Sequence, residues 1–311
     1  MNALELNDVC KSFGQVRAVD NLSVKVPTGS IYGFLGPNGA GKTTTLRMIM
    51  NIIRPDRGSI SIFGNGSIEQ AKSQIGYMPE ERGLYRKMTV SKVLTYFGAL
   101  KGMSSRELSL AVPRWLERIE LSNWANKKVE DLSRGMHQKL QFTVTVINEP
   151  NLLILDEPFS GLDPLNLDLL ENIISEMRDK GKTIIFSTHV MHQAENLCDS
   201  ILLINKGKSI LDGKLNQIRS RNRFHAVSVE LEGDTTFIKT LPMVMKVEPQ
   251  RNQLEITLVK DCDPQDLLRA LVEKVRVQRF ELKTPSLHEI FVNLVGASNA
   301  ENSQDCSTRI H

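Results

Sequence analysis

A chain of 311 residues has room for one large domain or two ordinary ones, and its 41% hydrophobic and 24% charged residues make a soluble globular balance with ample material for a core. Its net charge of +3 is too small to argue for a nucleic-acid partner. No run approaches 18 apolar residues, so any passage through a membrane must come from another chain.

The first ten residues read as a polar strand rather than a signal peptide. The four cysteines, Cys10, Cys198, Cys262 and Cys306, are scattered without a C-x-x-C pair. They indicate neither a zinc site nor a disulfide framework, and a reduced cytosolic protein is the default. Residues 3–9 alternate apolar and polar, as a strand does. Phe13 follows in a turn-like segment; it is either an ordinary hairpin aromatic or a platform for a purine ring. Residues 24–26 and 31–35 flank a Pro27-Thr28-Gly29 turn, which suggests a small antiparallel layer.

The next stretch carries the strongest signal. Gly36, Pro37, Asn38, Gly39, Ala40, Gly41, Lys42 and Thr43 fit the G-x-x-x-x-G-K-[ST] phosphate-loop pattern. A short apolar strand precedes it, and a helix over 43–53 follows with Leu46, Ile49, Met50 and Ile53 on one face. Glycines at this spacing let several backbone N–H groups converge, and the helix start adds partial positive charge. Lys42 would reach the β- and γ-phosphates, and the Thr43 hydroxyl would hold Mg2+.

Residues 59–63 form a further strand, 68–73 a short helix, and 75–85, with Pro79-Glu80-Glu81-Arg82 within it, a strand ending in a charged loop. From about 86 to 148 the periodicity is helical. Ser133 is placed as the N-cap of a helix there, ahead of free backbone N–H groups. Residues 152–155 are continuously apolar, as a strand buried on both faces is, and end in Asp156 and Glu157. In doubly wound folds ligands bind at that end. One carboxylate can hold Mg2+ or its water, and the next can polarise an attacking water. A second buried strand, 182–188, ends at His189, and 201–210 reads as a closing hairpin.

In this order the motifs resemble the ATP-binding subunit of ABC transporters over about residues 3–220. The resemblance implies an α/β fold, the P-loop NTPase ABC ATPase, with a mixed sheet core, an antiparallel β layer and a helical subdomain near 86–148. It implies ATP and Mg2+ as cofactors. Gly36, Pro37, Asn38, Gly39, Ala40, Gly41, Lys42, Thr43 and Thr44 would bind the nucleotide, and Phe13 would stack on adenine. Thr43, Glu80 and Asp156 would serve the metal. Glu157 would orient the hydrolytic water, and His189 would act as the γ-phosphate switch. Ser133 and Gly135, in the family's signature segment, would cap the γ-phosphate held by a second subunit, and Asp163 would couple the two sites. A homodimer with sandwiched ATP follows, on the cytoplasmic, inner face of the cell membrane. It would work with a separate membrane-spanning permease docked near Glu81, Arg82 and Tyr85.

The chain departs from the family pattern in three places. Arg134 stands where a glycine is usual, Met136 where glutamine is usual, and Glu80 where glutamine is usual. The wording around Glu80 and Ser133 resembles a branch of exporter ATPases, including sodium- and drug-extruding ones. Such subunits commonly carry an appended C-terminal domain. Residues 223–296 read as β-α-β-β-α-β, a small ferredoxin-like α+β unit. A last helix follows, capped by Ser286 with Glu289 three residues on, and 297–311 reads as a disordered tail. The alternative is a soluble ABC-type ATPase acting on the ribosome or DNA. Ribosome-acting relatives usually carry two ATPase units and DNA-repair relatives a long coiled coil; this sequence has one unit and no sustained heptad run.

Overall fold

The computed structural model describes residues 1–64, 71–81, 83–221, 226–250, 253–259, 262–283, 286–292 and 294. Its first compact unit, Met1–Leu215, opens with β1 (Asn2–Phe13), β2 (Val16–Pro27), β3 (Ile31–Leu35), α1 (Lys42–Ile49), β4 (Arg57–Ile62) and β5 (Ile75–Met78). Three helices follow: α2 (Val90–Leu100), α3 (Ser105–Arg118) and α4 (Arg134–Val146). Then come β6 (Leu152–Asp156), α5 (Pro164–Asp179), β7 (Thr183–Thr188), α6 (Met191–Leu197), β8 (Ser200–Asn205) and β9 (Lys208–Lys214).

Two sheets divide these strands. One has the order β5-β6-β7-β3-β8-β9, parallel throughout except for the β8–β9 hairpin. β3, β6 and β7 are buried at every residue, which is why their sequences are apolar runs instead of alternating patterns. The other sheet is antiparallel, β2-β1-β4. Leu46, Met48 and Ile49 of α1 share one hydrophobic cluster with Leu4 and Leu6 of β1 and with Tyr32, Ile154 and Leu202 of the parallel sheet. That packing on two sides fixes where the N-terminus of α1 points. α2 packs on α3 and α4, and α4 also touches β5 and α5.

Several boundaries differ from the expectations. β1 and β2 are twelve residues each and pair as one long hairpin, so Phe13 closes a strand instead of lying in an open turn. α1 stops at Ile49, short of residue 53, because Asn51 takes a left-handed conformation at φ 53° that ends the helix. Half of the helix expected at 68–73 lies outside the described residues, and Lys72–Gln74 is a 3-10 turn.

The second unit begins at Asn216, a few residues before the expected position. α7 (Leu215–Arg221) spans the junction. β10 (Ala226–Glu232), a 3-10 turn at Thr236–Thr240, β11 (Val244–Gln250), β12 (Gln253–Leu258), α8 (Pro264–Val272) and β13 (Arg276–Lys283) follow. The strands form an antiparallel sheet, β11-β12-β10-β13, over a core of Val227, Val229, Ile238, Ile256, Leu258, Leu267 and Leu271. The first of the two expected helices is thus only a 3-10 turn, entered where Asp234 Oδ1 accepts from the Thr236 N–H. Ser286 and Glu289 cap each other at the start of the helix over 287–292. The expected tail at 297–311 lies outside the described residues. Among the described residues no helix is long and apolar enough to cross a membrane.

Candidate functional site

Parallel strands send their carboxyl ends to one edge of the sheet, and there the chemistry gathers. β3 runs into the loop at 36–41, β5 into Pro79 and Glu80, β6 ends at Asp156 beside Glu157, and β7 leads to His189. The loop needs glycine at two positions above all. A Cβ on Gly36 (φ 151°) would lie 2.1 Å from the Ile204 carbonyl oxygen, and one on Gly41 (φ 106°) 2.4 Å from that of Ala18.

The loop wraps a cavity of about 310 Å³. Its walls are Ala18, the residues from Asn38 to Thr44, Glu80 and Glu157. α1 starts at Lys42 with its unpaired N–H groups beside this space, an anion-binding arrangement. Lys42 is 6% exposed. Its ammonium donates to the carbonyls of Gly36 at 2.7 Å and Pro37 at 3.1 Å, and lies 3.8 Å from Glu157 Oε1. Burial lowers the Lys42 pKa, while Glu157, Asp156 and Glu80 act against that shift.

The two carboxylates at the end of β6 differ in their partners. Asp156 is fully buried; its Oδ1 accepts from the Thr43 hydroxyl at 3.2 Å and from the Ser187 hydroxyl. Its Oδ2 has no hydrogen-bond partner among the described residues. Glu157 takes a left-handed backbone at φ 49°. Its N–H donates to Ser187 Oγ at 3.0 Å, and its Oε1 lies 3.0 Å from His189 Nδ1. Among the described residues no three His, Cys, Asp or Glu side chains gather to hold a metal. A buried carboxylate oxygen left unpaired beside a threonine hydroxyl nevertheless suits Mg2+, which keeps waters and takes few protein ligands.

A second cluster lies outside the cavity walls. Ser133 caps α4, its hydroxyl accepting from the Met136 N–H at 3.3 Å. Gly135 faces Leu162 and Asn166, and the Arg134 side chain lies against Gly161 with Nη2 3.4 Å from Ser160 Oγ. Asp163 caps α5, accepting from the Asn166 N–H at 3.0 Å. That bond and one from the Asn166 amide hold its carboxyl below the ordinary range. The structure therefore brings Ser133, Gly135 and Asp163 near one another, and none of them is among the cavity walls. Phe13 also lies outside the cavity walls, 49% exposed, with the Lys11 ammonium 5.7 Å from its ring centre.

Residues 19–160 match the family described as ABC transporter, and residues 213–295 match the C-terminal domain of DrrA1-3-like ATP-binding proteins. The uncharacterized ABC transporter ATP-binding protein YhaQ of Bacillus subtilis (strain 168) is 40% identical over 294 residues, 94% of this chain and 99% of its own. The chain belongs to the ATP-binding proteins of ABC transporters. It binds and hydrolyses ATP, as that family does. Nod factor export ATP-binding protein I of Rhizobium leguminosarum bv. viciae is 34% identical over 300 residues, 94% of this chain and 95% of its own. A solved ATP-binding subunit of an ABC transporter superposes with a TM-score of 0.65 at 32% identity, covering 70% of this chain and 92% of that one.

Three side chains that support the site of this ABC subunit belong to no sequence motif. Ser187 bridges Asp156 and Glu157, and is found only from the parallel register that sets Asp156 opposite it. Gln138 donates to the Pro158 carbonyl at 2.8 Å, and Gln141 to that of Pro79 at 2.8 Å. Polar residues on the buried face of α4 were the available signal.

Proposed function

We propose that this ABC ATP-binding subunit drives export through a separate membrane-spanning chain. The likeness to Nod factor export ATP-binding proteins carries the reading, because it runs through both compact units and not the ATPase unit alone. No observation favours the ribosome- or DNA-acting alternative.

In this reading the phosphates lie along the loop, with the N–H groups of 36–44 and the Lys42 ammonium as donors. Lys42 exchanges its contacts with the loop carbonyls for contacts with the β- and γ-phosphates. Thr43 and Asp156 hold Mg2+, with Glu80 reaching it or its water; the unpaired Asp156 Oδ2 supports this assignment. Bound there, Mg2+ neutralises phosphate charge as it shifts in the transition state. Glu157 orients the attacking water and accepts its proton, and His189, 3.0 Å from Glu157, meets the γ-phosphate. Phe13 receives the adenine. Ser133, Gly135 and Asp163 serve the nucleotide of a second copy, which their absence from the cavity walls supports. Two copies then sandwich ATP.

The partner docks beside Glu81, Arg82 and Tyr85; Arg82 lies outside the described residues. Tyr85 is 52% exposed and packs edge-on against Tyr96, an apolar patch suited to such docking. The subunit sits on the cytoplasmic face of the membrane, and its second unit is a ferredoxin-like appendage. Affinity purification from detergent-solubilised membranes tests the reading. A stoichiometric multi-spanning membrane protein is the expected companion. Recovery with ribosomes or DNA, or alone, would overturn the export role and leave the ATPase chemistry standing.

A further inference from the structure

Two buried glutamines three residues apart on α4 each donate to a turn that carries a carboxylate. Gln138 reaches the Pro158 carbonyl, beside Glu157. Gln141, 4% exposed, donates to the carbonyls of Pro79 at 2.8 Å and Glu81 at 3.1 Å, one on each side of Glu80. The Gln141 Oε1 has no hydrogen-bond partner among the described residues. A buried acceptor left unpaired costs stability that an apolar side chain of similar length would not lose. Packing alone therefore favours Met or Leu at this position. Departures from local rules of this kind concentrate where function demands them.

What the amide gains is a hold on one turn. Two parallel donors to carbonyls on either side of Glu80 leave its peptide plane little freedom to rotate. Glu80 lines the cavity, and its charge acts on Lys42. We propose that Gln141 is a positioning residue for Glu80, setting that carboxylate where it serves the metal bound with ATP. The proposal rests on the reading of Glu80 as a residue of the magnesium shell.

The test is equilibrium binding of ATP, with Mg2+ and with EDTA, in a Glu157→Gln background that slows hydrolysis. Adding Gln141→Met should weaken binding about tenfold in Mg2+ and leave binding in EDTA unchanged, as loss of an outer-shell partner does. Glu80→Ala, at an exposed position that does not threaten folding, should do the same, and the double variant should lose no more than either. Binding by Gln141→Met that matches its parent in Mg2+, or falls equally in EDTA, would overturn the positioning role while Glu80→Ala still reports on the metal. A Glu80→Ala variant with unaltered Mg2+ dependence would overturn the Glu80 reading, and the proposal with it.

Discussion

Asp156 and Glu157 are adjacent, yet their backbones and partners assign them different work. Asp156 continues the strand and is held by two hydroxyls, so its carboxylate is fixed and dry. Glu157 turns off the sheet at φ 49°, towards Lys42 and His189. Ser187 keeps both in register by donating to one and accepting from the backbone of the other. Ser187→Ala should lower kcat about 10- to 100-fold with a smaller change in ATP affinity. It should also cost about 1–3 kcal/mol of stability, because a buried donor and acceptor are both left unmade. Steady-state kinetics and urea denaturation check this; an unchanged kcat would remove Ser187 from the site. Gly41→Ala should abolish ATP binding measured by equilibrium dialysis, because its Cβ would meet the Ala18 carbonyl at 2.4 Å.

At the scale of the element, α4 links several parts of the site, carrying Ser133 and Gly135 at its start and Gln138 and Gln141 along its buried face. Its C-terminal end is held by Lys101, whose ammonium donates to the Thr145 carbonyl at 2.9 Å and Asn148 Oδ1 at 3.2 Å. Burial pushes the Lys101 pKa down from 10.5 to about 8. Between those values the unfolded chain still holds a proton that the folded chain has released, so stability rises with pH across the window. Below about pH 8 both states are charged and the cost of burying the ammonium is felt in full. Lys101→Met should flatten that rise by roughly 3 kcal/mol between about pH 7 and about pH 10, measured by urea denaturation. Parallel profiles for the two proteins would contradict it. The legible parts of the site were those set by local chain geometry. A tight N–H cradle demands glycines at fixed spacing, and a doubly buried strand demands an apolar run, so Gly36, Gly41, Asp156 and Glu157 stand out. Ser187, Gln138, Gln141 and Lys101 did not, because each acts on a segment distant in sequence and its partner depends on sheet register or helix facing. The early end of α1 was hidden for another reason: the apolar spacing continues past Ile49 while Asn51 turns the backbone.

For the whole molecule, catalysis in the proposed function is divided between two surfaces of one chain. The loop, the carboxylates and His189 share one sheet edge, whereas Ser133, Gly135 and Asp163 meet at the starts of α4 and α5, outside the cavity. No single copy then completes a site, and ATP hydrolysis per subunit should rise steeply with protein concentration in a steady-state assay before levelling off. That division was readable only through the family resemblance, since no local pattern says that a helix start serves another chain's nucleotide. The most direct test uses Glu157→Gln, which should still bind ATP and turn it over slowly, since it removes the carboxylate proposed as the base. Light scattering with ATP and Mg2+ should give twice the 35.0 kDa of one chain, and the single-chain mass when nucleotide is removed. A protein that stays at 35.0 kDa while saturated with ATP would contradict the shared site.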